Sequence, residues 1–343
     1  MESAVSAKIF IDEAPGETRV AVAVDGRPER LFIEREGEAD RPRLGDVFTG
    51  RVEAAAPGFR GHFVELGMGP AGLLPAAAGG KPAQGALVEV EIASEARADK
   101  GPVVKRLGEG RGNVGRISAG ASIEARLQAA YPDAVVVYDG AARDACDVAE
   151  EIALLEAHPL AGGLDLSVER TRGLIAVDVD FSRAEAGARA VFEANRRALK
   201  EAARLLRLKG LGGLVVIDLI GKASDHAALL AAAREAFAPD QPGVTIAGIS
   251  KLGVLELALP WRQTPVVERL LDPYGDPTPR TVAQRLARTL AAEGRADPGA
   301  RLVARCAPEV AAELAPLIAE MGPRYAVAAE VGRGRLDADI RAA

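Results

Sequence analysis

Three aspartates stand at the ends of two apolar runs. The first run is Gly173-Leu174-Ile175-Ala176-Val177-Asp178-Val179-Asp180, and the second is Gly212-Gly213-Leu214-Val215-Val216-Ile217-Asp218-Leu219-Ile220. Each reads as a buried strand that reaches a carboxylate near its C-terminal end. A carboxylate there is costly unless it is paired, hydrogen-bonded or bound to a cation. Side chains alternate along a strand, so Asp178 and Asp180 share one face, and Asp218 holds the matching place on the second strand. If the strands are neighbours, the carboxylates converge at one sheet edge. An all-oxygen set of this kind suits magnesium or manganese rather than zinc. Such a site activates water and stabilises charge on a phosphodiester oxygen. The plainer alternative is an aspartate that caps the following helix or pairs with an arginine.

The elements that must position these residues follow from periodicity. Val191 to Lys209 reads as a helix between the two strands, with Leu199, Ala202, Ala203 and Leu206 on its apolar side. Arg196, Lys200, Arg204 and Arg207, three or four residues apart, line one face. Beside a carboxylate metal site that stripe would offset repulsion of a phosphate backbone. As a charge pattern alone it is that of a solvated face. Upstream, Ile9 to Ile11, Thr18 to Val24 and Leu31 to Ile33 read as strands, with Asp25-Gly26 as a hairpin turn. Short strands divided by Gly and Pro between Asp46 and Ile92 suggest a small barrel. Residues 108–120 read as a linker, followed by a helix near Ile123 to Ala130, a strand from Ala134 to Tyr138 ending at Asp139-Gly140, and a helix from Asp147 to Ala157. Thr264 to Pro279 carries four prolines and reads as a second linker. The tail from Thr281 reads helix, strand, helix, strand.

Composition narrows the classes. Of 343 residues, 48% are hydrophobic and 27% charged, so a soluble core is easily built. The net charge of −6 excludes nucleic-acid binding by bulk charge, and any RNA contact must come from local basic patches. Cys146 and Cys306 form no CxxC pair, which gives neither a zinc signature nor a disulfide framework. Met1 to Ile9 lacks a long apolar run, so no leader or spanning helix is expected and a cytoplasmic location is the default.

The run from Asn195-Arg196-Arg197 through Leu208-Lys209-Gly210-Leu211-Gly212-Gly213 to Asp218, preceded by Val177-Asp178-Val179-Asp180, resembles the ribonuclease E/G signature. Gly248 to Leu257 is similar to a third motif of that family, in the expected order. Upstream, Gly50-Arg51-Val52, Pro57 to Gly67 and Ala71 to Pro75 resemble the family's inserted S1-type OB-fold. The resemblance implies an α/β multidomain chain. Its expected parts are N-terminal strands of an RNase-H-like subdomain (1–40), the OB-fold barrel (41–107) and a shortened remainder of the first subdomain (108–160). A DNase-I-like catalytic subdomain (161–262), a linker (263–280) and a small C-terminal α/β domain (281–343) follow.

It further implies an endoribonuclease that hydrolyses single-stranded RNA and leaves a 5′-phosphate. Asp178 and Asp218 match the magnesium-binding aspartates, with Asp180 as a further ligand or neighbour. Phe63 matches an RNA-stacking aromatic, for which barrel core is the alternative. Lys100, Lys105 and Arg106 at the barrel edge, and Asn195, Arg196, Lys200 and Lys251 around the catalytic motifs, are the remaining candidate RNA contacts. The departures are equally specific. Asp272-Pro273-Tyr274-Gly275 lacks the family's zinc-link cysteines, so no zinc is expected and any oligomer is not zinc-linked. The 5′-sensor segment has no counterpart, Leu73 replaces a second stacking aromatic, Arg197 a glutamate, and Gly221 a second aspartate. Three readings follow: an active magnesium-dependent endoribonuclease, a non-catalytic RNA-binding relative, and an unrelated phosphoesterase acting on a small substrate.

Overall fold

The computed structural model describes residues 6–342 apart from 39–40, 57, 59, 81, 99, 139, 183–186 and 222–224. Pro57 and Phe59 of the barrel motif, and Asp139 of the turn, lie outside the described residues. The architecture is mixed α/β, built on four sheets.

Strands β1 (Ala7–Ala14), β2 (Glu17–Val24) and β3 (Arg27–Arg35) form an antiparallel meander. Next come β4 (Val47–Ala56), β5 (Gly61–Glu65), β6 (Gly72–Pro75), a short α1 (Ala76–Gly79), β7 (Leu87–Ser94) and β8 (Val103–Glu109). These strands close into a five-stranded barrel in the order β4-β5-β6-β8-β7, the β4–β5 pairing sealing it. The β6–β8 pair is parallel, and the inward residues Phe48, Val64, Leu74, Val90, Ile92 and Val104 fill the centre. Residues 108–120 are not a plain linker, because β9 (Gly115–Ser118) pairs with β4.

Helix α2 (Ile123–Ala130), β10 (Val135–Val137) and α3 (Gly140–Leu154) return to the first sheet, where β10 pairs parallel with β1. Helix α3 starts seven residues earlier than the sequence suggested. Its buried stripe is Ala142, Cys146, Ala149 and Ala153, small side chains that give a weak hydrophobic signal.

The central sheet has six strands in the order β11-β12-β13-β14-β16-β15. They are β11 (Ala157–Leu160), β12 (Leu164–Arg170), β13 (Ile175–Phe181), β14 (Gly213–Asp218), β15 (Thr245–Ile249) and β16 (Val254–Leu259). Helices α4 (Ala188–Lys209) and α5 (His226–Ala236) supply the apolar side chains that cover one face. Leu166, Val177, Val179, Val215, Ile217, Leu255 and Leu257 point into that core. The residues between them do not. The two aspartate strands are therefore buried on one face only, which corrects the reading of both as wholly buried.

The proline-rich stretch is also more than a linker. Helix α6 (Val266–Leu270) buries Val266 and Leu270 in one cluster with Leu31, Ile33 and Leu208. The C-terminal unit comprises α7 (Pro279–Ala296), β17 (Leu302–Cys306), α8 (Pro308–Met321), β18 (Tyr325–Ala329) and β19 (Asp339–Ala342). Strand β19 was not foreseen. The unit is tied to the first sheet by buried ions. Glu17 accepts from Arg35 at 2.7 Å and from Arg288, while Glu150 accepts from Arg285 at 2.7 Å and from Arg19 at 3.2 Å. Breaking one partner of such a buried pair costs about 3–5 kcal/mol. Among the described residues no helix is long and apolar enough to cross a membrane.

Candidate metal and nucleic-acid site

Asp178 and Asp218 are brought together. Strands β13 and β14 run parallel and in register, so the two aspartates sit directly opposite each other at the C-terminal ends. Neighbouring strands lie about 4.8 Å apart, and a shared register puts both side chains on the same face. That face is open. Both aspartates are exposed, and among the described residues neither has an ion pair or side-chain hydrogen bond. Their row continues into Ser167 on one side and Val254 on the other. Two like charges so placed repel by about 1 kcal/mol in water, and a cation between them removes that cost.

Asp180 does not complete a trio. Its Oδ1 accepts from the Phe181 backbone N–H at 2.7 Å, and among the described residues no group of three or more His, Cys, Asp or Glu could hold a metal. The donor set is thus two exposed carboxylates. That fits magnesium, which keeps several waters and takes one or two protein carboxylates plus substrate phosphate.

Asn195 is placed differently from its expected role as an RNA contact. It is 1% exposed, and its amide clasps the backbone of Ile220: Nδ2 donates to the carbonyl at 3.1 Å and Oδ1 accepts from the N–H at 2.9 Å. It therefore fixes the segment that leaves Asp218. Gly221 follows with a φ of 68°, a left-handed turn that glycine takes without strain. The Ser250–Gly253 turn lies alongside, a Cβ on Gly253 coming 3.6 Å from the Gly221 carbonyl. Lys251, exposed on that turn, stands at the aspartate end of the sheet.

The basic stripe of α4 divides in two. Arg196 is half-buried and Lys200 exposed, and they pair with Glu193 at 2.9 Å and Glu235 at 3.1 Å. Arg204 is buried, and the Arg207 side chain is nearly so. Arg204 bonds Glu201 and the Pro28 carbonyl, and Arg207 bonds Glu29 at 2.9 Å and Asp240 at 2.8 Å. They fasten α4 to the β2–β3 hairpin, so the stripe is largely structural. Helix α4 covers the face opposite the aspartates, so the stripe does not flank the carboxylates as expected. Arg197 also ties structure together, donating to the Ala161 carbonyl at 2.7 Å. Behind the sheet, Lys209 donates to the Ala153 carbonyl at 3.0 Å and to that of Leu155, closing the end of α3. Burial lowers its pKa to about 8. Burial, then Lys209 and Arg204, lowers His158 to about 4.

On the barrel, Phe63 lies outside the central cluster and is half-buried. It pairs with Leu73, which pairs with Val103, and Lys105 follows two residues on, so these residues share the outer surface. Lys105 and Lys100 are exposed, while Arg106 bonds the Gly108 carbonyl at 3.2 Å. Sequence reasoning missed the clamp that holds the barrel to the central sheet. Arg97 lies 4.6 Å over the Trp261 ring and Arg170 5.6 Å from it. Glu268 receives Arg170 and, at 2.7 Å, the Ala98 N–H. These partners are distant in sequence, and no local pattern marks them.

The ribonuclease E/G family model matches residues 120–260. This region is similar to the ribonuclease E/G family. Ribonuclease E of Buchnera aphidicola is 36% identical over 104 residues, covering 29% of this chain and 12% of that protein. Ribonuclease E of Escherichia coli is 36% identical over 104 residues, 29% of this chain and 10% of that protein. A chloroplastic ribonuclease E/G-like protein of Arabidopsis thaliana is 29% identical over 123 residues, 33% of this chain and 12% of that protein. The aligned stretch thus spans about an eighth or less of these curated relatives. The ribonuclease E/G region runs from α2 to the end of β16, so both aspartates, Asn195 and Lys251 fall within it.

Proposed function

We propose that this chain is an endoribonuclease that hydrolyses single-stranded RNA with a magnesium ion held by Asp178 and Asp218. The observation that carries the reading is the in-register pairing of two exposed aspartates inside a ribonuclease E/G region. When bound there, the ion would make water a better nucleophile and neutralise charge on the phosphodiester. The chain's own residues do the rest. Asp178 and Asp218 supply the oxygen donors, Asn195 keeps the backbone after Asp218 in place, and Lys251 offers a cation to a passing phosphate. Water adds to phosphorus and the P–O3′ bond breaks, which leaves a 5′-phosphate downstream. Strand order in the barrel fits an S1-type OB-fold, and the order β10-β1-β2-β3 fits an RNase-H-like sheet. On this reading the strip from Phe63 to Lys105 receives the RNA, stacking a base and drawing in the backbone.

Incubating the purified chain with single-stranded RNA and magnesium, beside an Asp178→Asn plus Asp218→Asn variant, tests this. Cleavage by the parent alone is expected, and equal background in both rejects catalysis. A second reading is a non-catalytic RNA-binding relative. It is favoured by the turning of Asp180 onto the Phe181 backbone, which leaves only two carboxylates. Binding without cleavage at millimolar magnesium selects it.

A further inference from the structure

A cavity of about 190 Å³ opens at the far end of the central sheet from Asp218. Its walls are β3, α2, the last turn of α4 and the segment that follows β16. Gly210 and Leu211 mark the entry to β14, and the strand then carries the chain roughly 17 Å to Asp218, so the two sites are separate.

Arg30, Arg126, Arg207 and Arg262 line this cavity, and Asp240 is the one acid among its lining residues. Arg207 is spent on Glu29 and Asp240. Arg126 and Arg262 make no ion pair among the described residues. Arg30 makes only a long ion pair, at 3.9 Å, with the Asp240 that Arg207 already engages. Arg262 donates only to backbone carbonyls, those of Asp240 at 3.3 Å and Pro242 at 2.8 Å. Arg126 lies 6.0 Å from the Phe32 ring, and its buried Nε has no hydrogen-bond partner. Glu34, Glu95 and Asp46 act on Arg126 only at longer range than an ion pair. Burial pulls both Arg126 and Arg262 below the ordinary arginine range, and the acids near them (Glu95 and Glu34 for Arg126, Asp240 for Arg262) offset it only in part. The remaining wall is apolar, with Phe32, Leu44, Ile123 and Leu211.

We infer that this cavity binds a small phosphate monoester. Arg126, Arg262 and Arg30 hold the phosphate, and a body of sugar or single-ring size rests against Phe32, Leu44 and Leu211. Guanidinium forks match phosphate oxygens in geometry and stay charged when partly buried. With Arg126 and Arg262 outside any ion pair and Arg30 held only at long range, this wall suits a dianion better than a single carboxylate. The volume is below the 300–1,000 Å³ typical of sites for larger organic ligands, which selects a compact body.

The test is equilibrium dialysis of the full chain with ribose 5-phosphate, uridine 5′-monophosphate and inorganic phosphate at low ionic strength. Fluorescence of Trp261, the only tryptophan, which neighbours cavity residues Pro260 and Arg262, gives a second readout. Saturable binding of the phosphorylated compounds is expected. Arg126→Gln and Arg262→Gln should each weaken it by about tenfold, the loss of one charge-assisted hydrogen bond. No saturable binding to the unaltered chain at millimolar concentrations would overturn the assignment. So would undiminished binding to both variants. A short 5′-hydroxyl RNA that displaces ribose 5-phosphate as well as uridine monophosphate does would give the cavity to an RNA path and equally overturn it. None of these outcomes depends on the aspartates being catalytic.

Discussion

Asn195→Ala isolates the device that sets the geometry after Asp218. The substitution removes two hydrogen bonds at once, those to the Ile220 N–H and carbonyl at 2.9 and 3.1 Å. Each backbone group left without a partner away from water costs about 1–3 kcal/mol. Ile220 is half-buried, so water recovers part of that loss, and the net is about 2–4 kcal/mol. The local effect appears in amide hydrogen exchange, where the Ile220 N–H should exchange about 30-fold faster or more, the ratio that corresponds to 2 kcal/mol. Denaturant titration measures the global effect. Arg196→Ala, one residue away, is the control. The Arg196 side chain is 43% exposed and joined to Glu193 by an i,i+3 ion pair, so its loss should cost about 0.5 kcal/mol or less. If Asn195→Ala changes stability by no more than the control and leaves Ile220 exchange unaltered, Asn195 does not hold this segment.

Exposed and without partners among the described residues, Asp178 and Asp218 should accept the double Asn substitution with no loss of stability, and relief of repulsion should add up to about 1 kcal/mol. Thermal melts of the double variant beside the parent check this, and a large drop in melting temperature would show that the carboxylates carry structure. Phe63→Ala should weaken binding of single-stranded RNA by about 1–3 kcal/mol in a fluorescence titration while sparing the fold, because Phe63 lies outside the barrel core. His158 gives a pH signature. Burial holds its pKa near 4, so between pH 6.5 and 4 the unfolded chain binds a proton that the folded site refuses. Stability therefore falls as pH drops through that window, by up to about 3 kcal/mol, and denaturation midpoints for a His158→Gln variant should be flatter there. Lys209, lowered to about 8, acts on the basic side: from pH 8 to 10.5 the unfolded chain retains a proton that the folded site has released, so Lys209 raises stability with pH. Denaturation midpoints across that range, compared with those of Lys209→Met, measure it.

The strands bearing Asp178 and Asp218 were legible in the sequence because each is a run of β-branched and aliphatic residues ended by an acid. What sequence could not give was the second face. Leu214, Val216 and Ala176 read as buried by type, yet Leu214 is 49% exposed, since helices cover only one side of the sheet. The basic stripe failed for a related reason. Periodicity finds the face of a helix but not its neighbour, and the β2–β3 hairpin claims Arg204 and Arg207. Asn195 looked like a motif residue for ligand contact, because only three-dimensional proximity to Ile220 reveals its use. Helix α3 was read too short because alanine and cysteine carry little hydrophobic signal, and α6 was hidden by flanking prolines.

Among the described residues nothing covers the sheet face that bears the aspartate pair, so it forms a ledge and not a tunnel. A polymer can settle across a ledge sideways at any point along its length, with no free terminus to thread. Under the proposed function, that shape favours cutting within a strand over nibbling from an end. The same lack of a roof puts the burden of holding the substrate on the neighbouring barrel.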